Sequence, residues 1–481
     1  MRNIIILFIE IILLIVLIGL YTTFLPEFFN ISYISYILVI VFISLIVYSI
    51  RYKESFLKSN YITISFLFLL SFSIVHFQLY LDYAFSLRDQ LNVRFYLDYN
   101  IVPKAITLAA MALLCYIIGV TYQTIIKSKN YSENIIINKS FSMMFLKGLF
   151  ISLFFLNLYV TPIDYYQGNY GDYLNNNKIS FFQLKFNHLF QVSIWSYIIC
   201  IIISLSQNDT KIYNPIQYIV KFNFIFIFVI AVYSFLTLSA GSRGPIIKIF
   251  LLLFVGYILL KRQVINPIIF LVLMFVFGYF VEFIGFYRNV AGDLNFLNKI
   301  DEALVLRENY KNMTAQSSIF PPTIELAESL GAYQSIVMDQ EYNNKLYGLG
   351  LLGPLIGIIP GLGSLIKSTF SIEFVGSAHY ITEMLGSSFG TGTTALADIY
   401  LNFGVVGVII IFLAFGYYVS SLDSKAYKNF KQISLFNQVI FMVLISNAIY
   451  LGRASIFYAF SEVVLVYLIL SFSIFLSRYS R

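Results

Sequence analysis

Charge is what this chain has least of. Asp, Glu, Lys and Arg make up 11% of its 481 residues, where a soluble domain carries about 25%. A water-facing surface of ordinary size cannot be built from so few, which overrides the several soluble domains that length alone would suggest. Cysteine is almost absent. Cys115 and Cys200 both lie inside apolar runs and offer neither a disulfide framework nor a metal-ligand spacing. There is no zinc-type ligand cluster, no Gly-x-Ser-x-Gly elbow and no dinucleotide fingerprint, so those three chemistries have no support in the sequence. No internal repeat is visible, which weakens an inverted-repeat transporter.

What is present is apolar: 59% of residues, with 49 Phe and 38 Tyr. The aromatic bias fits an AT-rich genome and is not read as function. Runs of about twenty apolar residues are long enough to cross a bilayer. They fall near 4–21, 31–50, 61–81, 104–126, 141–161, 187–206, 221–240, 245–260, 264–284, 395–420, 435–452 and 454–477. The first run leads into Tyr-Thr-Thr-Phe-Leu-Pro without a small-residue cleavage site, so it reads as an uncleaved span. The net charge of +7 is a topology signal rather than a nucleic-acid signal. With both termini cytoplasmic, seventeen of the 31 Lys and Arg fall in cytoplasmic short loops and tails, while the first outer loop, 21–30, has none. The expectation is an all-α polytopic protein of about twelve transmembrane helices with one large outer loop. Its parts are nine spans over 1–284, the loop over 285–394, and three spans over 395–481.

That loop is not low-complexity. Residues 323–338 have helical spacing of apolar positions with two acids on the other face. Residues 346–366 are apolar but broken by many Gly and two Pro, which fits a re-entrant or interfacial segment packed on protein. A thirteenth span there would put Lys425, Lys428 and Lys431 outside, and is rejected on that ground.

Charges at membrane edges are costly and are the natural candidates for chemistry. Arg243 sits in Ser239-Ala-Gly-Ser-Arg-Gly-Pro245, a tight turn between the seventh and eighth spans. A guanidinium held there can bind a phosphate bidentately; the plainer alternative is an arginine snorkelling to the interface. Arg288 follows the ninth span, with Glu282 six residues earlier as a candidate partner, and a structural ion pair is as good a reading as ligand binding. Arg453 lies in the turn between the last two spans. Three junctions presenting one arginine each point to a cationic outer cavity for an anionic ligand. Glu10, inside the first span, is an isolated acid whose partner the sequence does not name.

His379 and Glu383, in Gly376-Ser-Ala-His379-Tyr-Ile-Thr-Glu383, are four apart and share a helix face. Imidazole titrates near neutrality and can take a proton from a hydroxyl, with the carboxylate orienting it. A structural histidine is the ordinary alternative. His379 is singled out because the other two, His76 and His188, fall in or near spans. The Gly/Thr run 390–394 has backbone amides to offer an anion at a helix start. Asp398 and Asn402 share a face at the top of the tenth span, where interhelical hydrogen bonding is the plainer role.

With these residues in place the chain resembles the bacterial O-antigen polymerases (Wzy-type), which polymerise oligosaccharide repeat units. The resemblance rests on many spans with a late outer loop and on Gly241-Ser-Arg-Gly-Pro245 opening a short span. Arg288 after the next span, the His-containing Gly/Ser stretch, and Asp398-Ile-Tyr400-Leu-Asn402-Phe-Gly404-Val-Val-Gly407 complete it. It implies a GT-C-like polymerase/ligase architecture in the bacterial cytoplasmic (inner) membrane. It implies a metal-independent glycosyltransferase with no cofactor, acting on undecaprenyl-diphosphate-linked donor and acceptor at the outer face. The product is a surface polysaccharide of O-antigen or capsule type. Its partners are lipid bilayer, a chain-length regulator and a flippase, and no nucleic acid. Under it, His379 is the base, supported by Glu383. Arg243, Arg288 and Arg453 meet the diphosphate, and Glu282, Asp398, Tyr400 and Asn402 support them. A ligase of the same layout and a flippase or transporter remain the alternatives.

Overall fold

The computed structural model describes residues 2–51, 61–88, 99–126, 140–166, 181–208, 214–261, 267–290, 296–314, 318–339, 346–356, 362–370, 376–387 and 390–479. Every regular element among them is helical. The longer helices are α1 Arg2–Thr23, α2 Ile31–Ile50, α3 Ile64–Ala84, α4 Val102–Ile126, α5 Met143–Val160, α6 Phe181–Gln207, α7 Phe224–Ser239, α8 Gly244–Lys261 and α9 Pro267–Asn289. Then come α10 Phe296–Thr314, α11 Leu330–Asp339, α12 Leu349–Ile356, α13 Leu362–Phe370, α14 Ser377–Met384, α15 Ala395–Asn429, α16 Leu435–Leu451 and α17 Tyr458–Tyr479.

Nine helices among the described residues are long and apolar enough to cross a membrane; α7 and α16 are apolar but shorter. The run expected at 264–284 is helical as α9. Their outward faces are apolar: Ile4, Phe8, Ile12 and Ile15 on α1, and Tyr36, Val39, Phe42 and Ile46 on α2, are all exposed. Surfaces of this kind call for a hydrocarbon solvent, with each helix satisfying its own backbone. Helix starts are closed by side chains, as where Asn30 accepts from Tyr33 N–H and Thr63 from Phe66 N–H.

The chain divides into two compact units. Unit 1 is 1–132, 315–424 and 448–461; unit 2 is 133–314, 425–447 and 462–481. In unit 1, α4 is buried along most of its length and packs against α1, α2, α3 and α11. Small residues allow close approach to α15: a Cβ on Gly119 would stand 2.1 Å from Leu413 O, and one on Gly416 would stand 2.1 Å from Tyr116 O. Glu10 is buried and accepts from Thr121 on α4 at 2.9 Å, which supplies the partner the sequence left unnamed. Asp423 accepts from the N–H groups of Ile64 and Ser65 at 2.9 Å each, so a carboxylate closes the positive start of α3.

In unit 2, α6 is the buried helix, with α5 and α8 packed on it around Phe190, Trp195 and Tyr197. α9 and α10 pack together over Tyr287, Val290 and Ala303.

Two expectations need correction in detail. The single helix expected over 323–338 is two, Ile324–Ala327 and α11. The first closes at Glu328 and Ser329, whose N–H groups bond back to Ile324 and Leu326. The tenth span continues past 420 to Asn429 and is broken at Gly404, at φ 62° and ψ −158°, a backbone state that glycine tolerates and other residues resist. The break frees carbonyls in the preceding turn, and Leu346 N–H takes that of Leu401 at 3.1 Å. In the apolar 346–366 stretch, α12 and the start of α13 are described and 357–361 lie outside the described residues. α12 and α13 have eight and nine residues, too few to cross a bilayer.

Candidate functional site

His379 and Glu383 both lie on α14. The helix starts at Gly376 and is held against α11, where Tyr380 donates to Asp339 at 2.5 Å. Burial and the Asp339 carboxylate push the Tyr380 phenol up to about 12, so it stays a donor across the physiological range. His379 Nε2 meets Glu383 Oε1 at 3.0 Å, with the two side chains 65% and 64% exposed. The expected pair is therefore formed and is exposed. A neutral imidazole that donates from Nε2 keeps Nδ1 as its acceptor.

The stretch after α14 is tied back to it. Thr391 N–H donates to Thr382 Oγ1 at 3.2 Å, and the two threonine hydroxyls are 3.1 Å apart. Thr394 Oγ1 accepts from Ala397 N–H at 3.0 Å. The start of α15, expected to offer amides to an anion, thus has one of its free N–H groups capped by its own threonine.

Asp398 is buried on α15. It accepts from the Ser455 hydroxyl in the turn between α16 and α17, and Ser377 at the start of α14 lies beside it. Asn402 donates to Asp398 O at 2.8 Å, and its Oδ1 accepts from Gly350 N–H at 3.1 Å. Both side chains tie segments of unit 1 together, the plainer of the two roles weighed for them. Tyr400 is buried on the same helix.

Arg453, two residues before Ser455, meets Glu325 at 3.5 Å. Sequence reading gave this arginine no partner. The segment carrying Glu325 is positioned by Asp82 and Gln78 of α3. Asp82 accepts from the Ser318 hydroxyl at 2.6 Å and from Ile319 N–H at 2.9 Å. Gln78 Oε1 accepts from Thr323 at 2.6 Å.

The remaining candidates belong to unit 2. Arg243 stands just before α8, and its carbonyl accepts the first helical bond, from Ile247 N–H at 3.1 Å. Arg288 lies in the last turn of α9 rather than after it. Glu282, expected to face Arg288, accepts from Arg307 of α10 at 2.7 Å, because α10 folds back along α9. One charged cluster was missed altogether: Lys248 of α8 and Glu462 of α17 are 2.7 Å apart. Their positions, five residues into two apolar helices, carried no local signal. No group of three or more His, Cys, Asp or Glu placed to hold a metal ion occurs among the described residues.

The family model described as O-antigen polysaccharide polymerase Wzy matches residues 4–479, nearly the whole chain. The chain belongs to the O-antigen polymerase family. The resemblance read from the sequence is thereby borne out. No curated protein and no solved structure matches the chain. Membership of this polymerase family, with its many apolar helices, makes the chain an integral membrane protein. The activity of the family is glycosyltransferase-like polymerisation of lipid-linked repeat units into polysaccharide.

Proposed function

We propose that this polymerase joins undecaprenyl-diphosphate-linked repeat units by block transfer at the outer face of the bacterial cytoplasmic membrane, building an O-antigen- or capsule-type polysaccharide. The bond from the anomeric carbon to the diphosphate breaks. A new glycosidic bond forms to the acceptor sugar hydroxyl, and undecaprenyl diphosphate leaves with the bonding electrons. The acceptor proton goes to His379 Nδ1, while Nε2 is held by Glu383. Arg243, Arg288 and Arg453 are assigned the charge that develops on the leaving diphosphate.

The observation that carries this reading is the His379–Glu383 pair, formed at 3.0 Å between two exposed side chains on a helix of a membrane polymerase. A base must reach a hydroxyl, and this imidazole is accessible. The test is gel analysis of surface glycan from a strain lacking the gene, complemented with wild type or Arg243→Ala. A ladder that collapses to single units and returns only with wild type supports the reading, with Arg243→Ala protein present in normal amount. Loss of all glycan, short and long, indicates a ligase instead. An intact ladder without the gene discards the polymerase reading.

A further inference from the structure

Helix α14 carries the base assigned above, yet it has only eight residues. A helix that short does not hold its shape in water by itself, so its orientation comes from what it touches. Ser377 and Ile381, four apart, form its buried face. Thr382 meets Thr391 of the following stretch at 3.1 Å. Tyr380 is half-buried and donates to Asp339, 41 positions away on α11, at 2.5 Å. His379 and Glu383 lie on the exposed side.

The helix that Tyr380 reaches is itself held on two sides. α11 is buried from Leu330 to Val337. Its Tyr333 hydroxyl donates to Ala105 O of α4 at 2.9 Å, and its Gln334 amide donates to the Tyr80 hydroxyl of α3 at 2.9 Å. Asp339, at the end of α11, is buried as well. A hydroxyl–carboxylate bond of 2.5 Å is at the short, strong end for such a pair. The contact therefore ties α14 to a helix fixed on α3 and α4, all within unit 1.

The contacts of α14 constrain different things. Burial of Ile381 holds the helix against its neighbours, but apolar burial is non-directional and leaves rotation about the helix axis soft. A hydrogen bond needs donor and acceptor aligned. Tyr380 follows His379 directly, and successive side chains project about 100° apart around a helix. Fixing the direction of Tyr380 thus fixes that of His379. The consequence for a reaction is large, since a displacement of about 1 Å can cost about a hundredfold in rate.

We propose that Tyr380 is a positioning residue: its hydrogen bond to Asp339 sets the rotation of α14 and so aims the His379 imidazole at the acceptor sugar hydroxyl. That the bond holds α14 rests on the geometry alone. The aim of His379 at a hydroxyl rests on the polymerase reading.

The test uses the solubilised full chain and pairs Tyr380→Phe, which keeps the ring and removes only the hydroxyl, with His379→Ala. Hydrogen exchange of the α14 amides is expected to quicken about tenfold to a hundredfold in Tyr380→Phe, the range for losing a hydrogen bond to a charged group. Amides of α3 and α4 should exchange as in wild type. kcat on lipid-linked repeat units should fall by about tenfold to a hundredfold with KM unmoved. Asp339→Asn keeps an oxygen that can accept from the phenol, so its kcat should stay close to wild type. In the His379→Ala background, Tyr380→Phe should have no further effect on kcat, because no imidazole is left to aim. Unchanged α14 exchange, unchanged kcat, or a full loss of kcat on top of His379→Ala overturns the proposal. An Asp339→Asn protein as slow as Tyr380→Phe overturns it too, since the contact would not then be acting as a hydrogen bond. Failure of the base assignment shows differently, as wild-type turnover in His379→Ala alone, and takes the aim of His379 with it. Failure of the polymerase reading shows elsewhere, as a glycan ladder that does not need the gene.

Discussion

Two contacts of nearly equal length, His379–Glu383 at 3.0 Å and Lys248–Glu462 at 2.7 Å, sit in opposite surroundings. The first has both side chains about two-thirds exposed. There the Coulomb gain is screened, and a pair of this kind is worth about 0–1 kcal/mol. The second is enclosed by apolar helices. There the pair is worth little against a hydrophobic replacement, but breaking it strands a charge and costs about 3–5 kcal/mol. Distance alone therefore does not separate a residue that acts from one that holds. Exposure does on the proposed reading: the imidazole is cheap to remove from the fold and, as the proposed base, is the accessible member. Glu462 is costly to remove and engaged on both oxygens.

The comparison is broken most severely by Glu462→Ala. It removes the carboxylate that both the Lys248 ammonium and the Asn447 amide meet, and we expect a loss of about 3–5 kcal/mol. Thermal unfolding of the solubilised protein measures it, and Lys248→Met combined with Glu462→Leu should recover most of the loss. A Glu462→Ala protein that melts with wild type would show that the pair is not holding the helices. Gly416→Ala comes next. Its new Cβ would stand 2.1 Å from a backbone oxygen of α4, which cannot swing aside as a side chain does. The cost expected is about 1–3 kcal/mol of strain. This variant is the uncharged control: fewer folded molecules, each polymerising at the wild-type rate. A lower rate per folded molecule would mean that the α4–α15 contact bears on the reaction as well as on the fold.

What the sequence disclosed follows the range of the interaction. Apolar runs and the i,i+4 relation of His379 to Glu383 are local, and both are realised as helices and as a contact. The turn holding Arg243 was legible for the same reason, since glycine and proline mark it. Partners distant in the chain were not legible. Lys248 and Glu462 are 214 positions apart, and spacing carries no information across that distance. Arg453 gained Glu325 only because Asp82 and Gln78 pin the intervening segment to α3. Glu282 turned to Arg307 once α10 folded along α9. The break at Gly404 was written as a glycine in Asn-Phe-Gly. Its meaning depends on Leu346 arriving to take the freed carbonyl.

The smallest effect on stability, and the sharpest on activity, is expected of His379→Ala. Removing an exposed imidazole should change the unfolding free energy by less than about 1 kcal/mol. The amount of protein in the membrane should match wild type. Turnover on lipid-linked repeat units should fall by about 100-fold to 10,000-fold, the contribution typical of a positioned general base. The dependence of rate on pH should change with it, since the group assigned to accept the proton has been removed. Glu383→Gln separates orienting from charge. The amide oxygen can still accept from Nε2–H and hold the ring, so the rate should fall much less than in His379→Ala. Normal turnover with an unchanged pH profile in His379→Ala would move the base to another residue. It would also reduce the exposed pair to the ordinary surface contact that its burial alone describes.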